Sequence, residues 1–255
     1  MTRLLLTTLG LLLSLTVSTF AQSGKDNNSR YGRGKDSIDC LLNVGMSREY
    51  VRKKEYKKAY LPWKEAITSC PKSQASLYSD GVKILHALLE TEKDSARHSV
   101  YLKDLTDLYD KNILYKDDLN QFMQSDIHKD YLLATKAYDY LQYAGPSLDL
   151  KLAYRYVLDA VESIGDEPAC FLFLTWMEVN LRIYQADPGF KQTFIEDYRH
   201  ALSLIRECYH TANAQTRKMW EETLSRINDT LRKSGLENHE SIQTENHVSY
   251  NQVIP

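Results

Sequence analysis

The chain is poor in the residues that break helices: 10 glycines and 6 prolines in 255 residues leave little material for the tight turns of an all-β fold. It also lacks a close pair of cysteines, an HExxH run, a glycine-rich phosphate loop and a nucleophile elbow. Those absences argue against zinc held by cysteine, zincin chemistry, nucleotide phosphate binding and serine hydrolysis. Lysine and arginine number 32 against 34 aspartates and glutamates, so no basic excess invites nucleic acid. Beyond the first residues no apolar run is long enough to cross a bilayer. The most apolar later stretch, 169–177, contains Thr175 and is followed by Glu178, Asn180 and Arg182. The seven histidines (His86, His98, His128, His200, His210, His239, His247) show no metal-binding helical spacing. Glu196 and Asp197 lie beside His200, but successive helical carboxylates point different ways, and a solvated face is the expectation there. No catalytic residue, metal ligand or cofactor is predicted.

What is present is a positive start at Arg3, an apolar run from Leu4 to Val17 and small residues up to Ala21. That pattern predicts a cleaved signal peptide over 1–21 and therefore export, with no membrane-spanning segment afterwards. Residues 22–35 read as a flexible polar leader, 36–235 as one helical domain, and 236–255 as a disordered polar tail. In an oxidising compartment four cysteines predict disulfides before metal. Of the three possible pairings, hairpin geometry selects two. Cys40 and Cys70 lie equally far from the polar break Lys53-Lys54-Glu55, and Cys170 and Cys208 equally far from Asp187-Pro188-Gly189. If each break joins antiparallel helices, both members of a pair reach the same height, and facing helices about 8–10 Å apart bring them within bonding range.

Apolar residues recur at three- and four-residue steps along most of the domain and predict an all-α fold of about nine helices. The expected spans are 37–53, 56–70, 73–91, 94–113, 126–144, a sixth running to Ile164, a seventh starting at Pro168, an eighth starting at Asp187-Pro188, and 212–234. Residues 114–125 are expected to be a loop. Asp94 is a candidate N-cap, while Pro71, Gly145-Pro146, Gly165 and Gly235 are stops. The last helix carries one narrow stripe, Trp220, Leu224, Ile227 and Leu231, as the terminal helix of a stack should. Tyrosine is unusually frequent, 18 against 6 phenylalanines, which suits helix contacts with one edge wet or a groove that grips a ligand.

The first helical pair is the most specific. Tyr50 lies on its first helix, and Tyr56, Ala59, Trp63, Ala66 and Pro71 follow across the second. Small residues there let two helices approach, aromatics fill the space to the next pair, and the proline ends the unit. That spacing resembles the tetratricopeptide repeat (TPR), although Asn43 and Met46 replace the usual aromatic and leucine of its first helix. Over residues 36–234 the chain is similar to TPR-like exported proteins of Bacteroidota, through segments such as Asp39-Cys40-Leu41-Leu42, Tyr60-Leu61-Pro62-Trp63-Lys64 and Ile195-Glu196-Asp197-Tyr198. The resemblance implies stacked antiparallel hairpins forming an α-solenoid, a periplasmic location, and a concave face lined by the first helix of each pair. Val44, Arg48, Val51 and Arg52 are the groove residues it nominates in the first pair. It implies a protein–protein interaction scaffold whose partner is another envelope protein or peptide. The alternative is an accessory protein binding glycan or peptide for nutrient uptake at the outer membrane.

Overall fold

The computed structural model describes residues 30–123, 126–165 and 168–237, and these contain nine α-helices and no strand. The helices are α1 (Lys35–Arg52), α2 (Tyr56–Ser69), α3 (Ser76–Thr91), α4 (Ser95–Met123), α5 (Lys129–Tyr143), α6 (Leu150–Glu162), α7 (Cys170–Ala186), α8 (Lys191–Thr211) and α9 (Ala214–Ser234). Short 3-10 turns, Gly145–Ser147 and Pro188–Phe190, precede α6 and α8. None of the described helices is long and apolar enough to cross a membrane. The expected signal peptide and most of the expected leader and tail lie outside the described residues. The two inner ends of those segments belong to the fold. Tyr31 packs against the core, and Leu236 is buried in it just past the left-handed Gly235 (φ 73°).

Helix starts are set by local chemistry. Asp94 accepts the amide of Arg97 at 2.8 Å, Asp149 caps α6 through Lys151 and Leu152, and Asn213 caps α9 through Gln215 and Thr216. Each helix packs on the next in the chain, and the odd-numbered helices also touch one another in succession, α1 to α3, α5, α7 and α9. Even-numbered helices meet through longer side chains, α2 with α4 and α6 with α8. One continuous apolar core runs from Cys40 to Leu236.

The helix α4 departs most from expectation, continuing through 114–123 where a loop was predicted. Leu105, Leu108, Tyr109, Tyr115 and Leu119 keep one stripe turned inward, and Leu119 is fully buried. The charges Lys116, Asp117 and Asp118 masked that stripe. Asp118 pairs with Lys72 at 2.6 Å, whose ammonium also lies 5.4 Å from the Tyr115 ring, so the added turns pack on the connection before α3. A smaller correction concerns α7, which begins at Cys170, two residues after Pro168.

In the first pair Ala59 and Ala66 are wholly buried, Trp63 nearly so, and Tyr50 and Tyr56 are half-buried against the core. The Trp63 indole donates to the Leu77 carbonyl at 3.0 Å and lies against Gly81 of α3. The Tyr78 hydroxyl donates to the carbonyl of Pro71 at 2.9 Å. Cys40 and Cys70 form a disulfide with their Cα atoms 6.2 Å apart.

The expected second bridge is absent: Cys170 and Cys208 are free thiols. Equal distance from a turn fixes height but not rotation about the helix axis. At about 100° per residue a matched height can still point a side chain elsewhere. Cys170 is in hydrogen-bonding contact with Thr223 of α9, the helix along which α7 packs most extensively. Burial raises both thiol pKa values, and for Cys208 the neighbouring Cys170 adds to the effect.

Candidate functional site

The inward-turned carboxylates Asp104, Asp139 and Asp197 each brace one helix to another. Asp104 of α4 accepts from Tyr60 at 2.7 Å and pairs with Lys64, both on α2. Asp139 of α5 accepts from Tyr109 of α4 and meets His86 Nε2 of α3 at 2.7 Å, with His86 stacked on Tyr143. Asp197 of α8 takes Tyr154 of α6 at 2.8 Å, together with Trp176 at 3.1 Å and Asn180 at 2.9 Å on α7. In all three a tyrosine hydroxyl finds a carboxylate, which accounts for part of the tyrosine excess: the ring packs and its polar tip stays satisfied. Among the described residues no three His, Cys, Asp or Glu side chains could hold a metal ion.

The solvated face expected at Glu196-Asp197 is therefore half wrong. Glu196 is exposed, but Asp197 turns inward. Burial raises its pKa above the ordinary carboxylate value, opposed by its three donors and by His200. A carboxyl that binds its proton more tightly in the folded than the unfolded chain makes stability rise as pH falls through its folded pKa toward its unfolded one. Asp197→Asn should remove that rise. In thermal melts from neutral to mildly acidic pH, wild type should gain on the variant as pH falls, and parallel curves would refute the assignment.

The structure splits the four groove residues nominated from the first pair. Val44 and Val51 are 6% and 9% exposed and belong to the core, because the face of α1 they share with Cys40 is the one packed on α2 and α3. They cannot touch a partner. Arg48 and Arg52 are exposed, and Arg52 pairs with Glu49 within α1.

A groove does exist, at the other end of the chain. Its volume is about 660 Å³, and every residue lining it comes from α5, α7 or α9. The signal for it was present in the sequence as a matched stripe. Tyr131, Thr135, Tyr138 and Gln142 on α5 have the same spacing as Phe171, Thr175, Glu178 and Arg182 on α7. One wall is an aromatic ledge: Phe171 meets the rings of Tyr131 and Tyr138 edge-on, at 5.9 and 5.7 Å between centroids. Tyr131 and Tyr138 remain 57% and 41% exposed, an unusual state for rings so close to a core. Leu141 and Leu174 add apolar surface.

The opposite lip is charged. Glu178 and Arg182 neutralise each other at 2.8 Å, and Asp229 is paired with Arg232. Arg226 and Lys233 of α9 have no ion-pair partner among the described residues, so that lip carries unbalanced positive charge. An aromatic shelf facing uncompensated cations can receive an apolar or aromatic group on one side and a carboxylate on the other. No known protein family, curated protein or solved structure matches this chain.

Proposed function

We propose that the chain is a TPR-like α-solenoid whose odd-numbered helices form a concave face, and that it works as an exported interaction scaffold. The observation that carries this reading is the composition of the groove. Only α5, α7 and α9 line it, the layer in which successive hairpins present their first helices. The occupant is an extended segment of another envelope protein, with an aromatic or large apolar side chain on the Tyr131–Tyr138–Phe171 ledge and an acidic group facing Arg226 and Lys233. The signal-like start of the sequence and the Cys40–Cys70 bridge support a periplasmic setting, since such a bond persists in oxidising compartments. No reaction is assigned: the polar clusters are consumed in joining helices.

Fluorescence polarisation against a library of labelled extended peptides tests the reading. Acidic, aromatic-bearing members should bind best. The double reversal Arg226→Glu with Lys233→Glu should weaken them about tenfold or more, with a shallower salt dependence. Tyr138→Ala should cost about 1–2 kcal/mol of binding. A library with no binder, or binding indifferent to these changes, would rule out the groove. The exposed tyrosines also favour a second reading, an acidic oligosaccharide held on the same ledge. Calorimetry with uronic-acid oligosaccharides separates the two. Tryptophan fluorescence is a poor reporter, because Trp63 and Trp176 are buried and neither lines the groove.

A further inference from the structure

The groove lined by α5, α7 and α9 lies beside the point where the described chain stops. Lys233 stands on its lip, and Glu237, the last described residue of that helix end, is four positions further on. Between them the left-handed Gly235 ends α9 and Leu236 is buried in the core. The chain is thus anchored to the body within a few residues of the groove. Residues 238–255 continue from there.

Their composition departs from that of the helices. After Lys233 the sequence has no further lysine or arginine, although it holds 32 in all. Residues 238–255 carry two carboxylates, Glu240 and Glu245, one tyrosine, Tyr250, and the apolar Ile242, Val248, Val253 and Ile254. The groove is the complement of that set. From Arg226 to Lys233, α9 bears three cations, Arg226, Arg232 and Lys233, against the single carboxylate of Asp229. Across from them stand the exposed rings of Tyr131 and Tyr138. The order matches as well. The glutamates come first after α9, next to its cationic lip, and Tyr250 comes later, far enough along to reach the ledge on α5 and α7.

Reach is ample. Tyr250 lies 17 residues past Lys233, which can span at most about 55–60 Å. The α7 wall of the groove, from Phe171 to Arg182, is about 16 Å long. A short tether presents its end at roughly millimolar concentration, so even a weak contact made in the same chain is well populated.

Taking this groove as the binding site proposed above, we infer that residues 238–255 occupy it in their own chain. Tyr250 lies on the Tyr131–Tyr138–Phe171 ledge, with Glu240 and Glu245 against Arg226 and Lys233, and the chain masks its own site. A partner enters only by displacing this tail, and its apparent affinity falls in proportion to the fraction of open grooves.

The test uses a fluorescein-labelled peptide of the 238–255 sequence, followed by fluorescence polarisation. It is titrated with the full chain, with a chain stopped after Glu237, and with a full chain carrying Glu245→Lys and Tyr250→Ala. Stopping after Glu237 keeps every residue of the core, which extends to Leu236. The shortened chain and the tail variant should each bind the peptide at least tenfold more tightly than the full chain. Arg226→Glu with Lys233→Glu should abolish binding to the shortened chain. A benzophenone photoprobe in place of the Tyr250 side chain should crosslink to α5 or α7 of its own chain. Equal binding by the full and shortened chains would overturn the inference, as would a shortened chain that ignores the peptide, or crosslinks formed only between chains. The acidic, aromatic library peptides judge the groove separately. If the full and shortened chains bind those alike and charge reversal weakens both, the groove stands and its occupation by the tail fails. If the shortened chain binds neither the tail peptide nor any library member, both fail.

Discussion

Gly81→Leu is expected to destabilise the chain by about 3–5 kcal/mol, combining overpacking with loss of a buried indole hydrogen bond. A Cβ at this position would stand 2.5 Å from Trp63 Nε1 and 2.6 Å from two ring carbons. The ring cannot retreat cheaply: Trp63 is 1% exposed, and its N–H is committed to the Leu77 carbonyl. Trp63→Ala alone should cost a similar amount, about 3–5 kcal/mol, by leaving a large cavity. The decisive measurement is the double variant in urea. If Gly81 exists to seat the indole, Gly81→Leu in the Trp63→Ala background should cost about 1–3 kcal/mol less than in wild type. Simple additivity would dismiss that account and leave the second hairpin's attachment to the first unexplained.

The second large effect concerns the bridge between α1 and the end of α2. Replacing Cys40 and Cys70 together with serine removes a link closing a loop with a sequence separation of 30. In the chain-entropy account that is worth about 3.5–4 kcal/mol. For a domain of this size the melting temperature should fall by roughly 10 °C in non-reducing buffer. Cys170→Ser should leave it nearly unchanged, because no bridge depends on that thiol. Thiol titration of the unfolded, unreduced protein should count two free groups, Cys170 and Cys208. Melting temperatures that respond in the reverse order would restore the second bridge at the expense of the first.

The contrast between these two cysteine pairs shows what a sequence can and cannot convey. Helix existence and most boundaries were readable, because stripes such as Trp220, Ile227 and Leu231, and stops such as Gly235, act locally. Height along a hairpin was readable too, and it sufficed for Cys40 and Cys70. Azimuth was not. It depends on how α7 divides its surface among α5, α6, α8 and α9, and Cys170, though a neighbour of Cys208, stays unbonded and in contact with Thr223. The same gap hid Asp197, whose three donors come from the two preceding helices, Tyr154 on α6 and Trp176 and Asn180 on α7. It also hid which side of α1 is packed: Val44 and Val51 lie in the core, whereas the exposed rings that line a groove lie on α5.

One consequence of the packing order concerns how the chain acquires its structure. Every substantial contact joins helices no more than two positions apart along the chain. Few long loops need closing, so the topology belongs to the fast-folding, low-contact-order class. Structure can accumulate in the order of synthesis, and the Cys40–Cys70 crosslink needs only the first two helices to form.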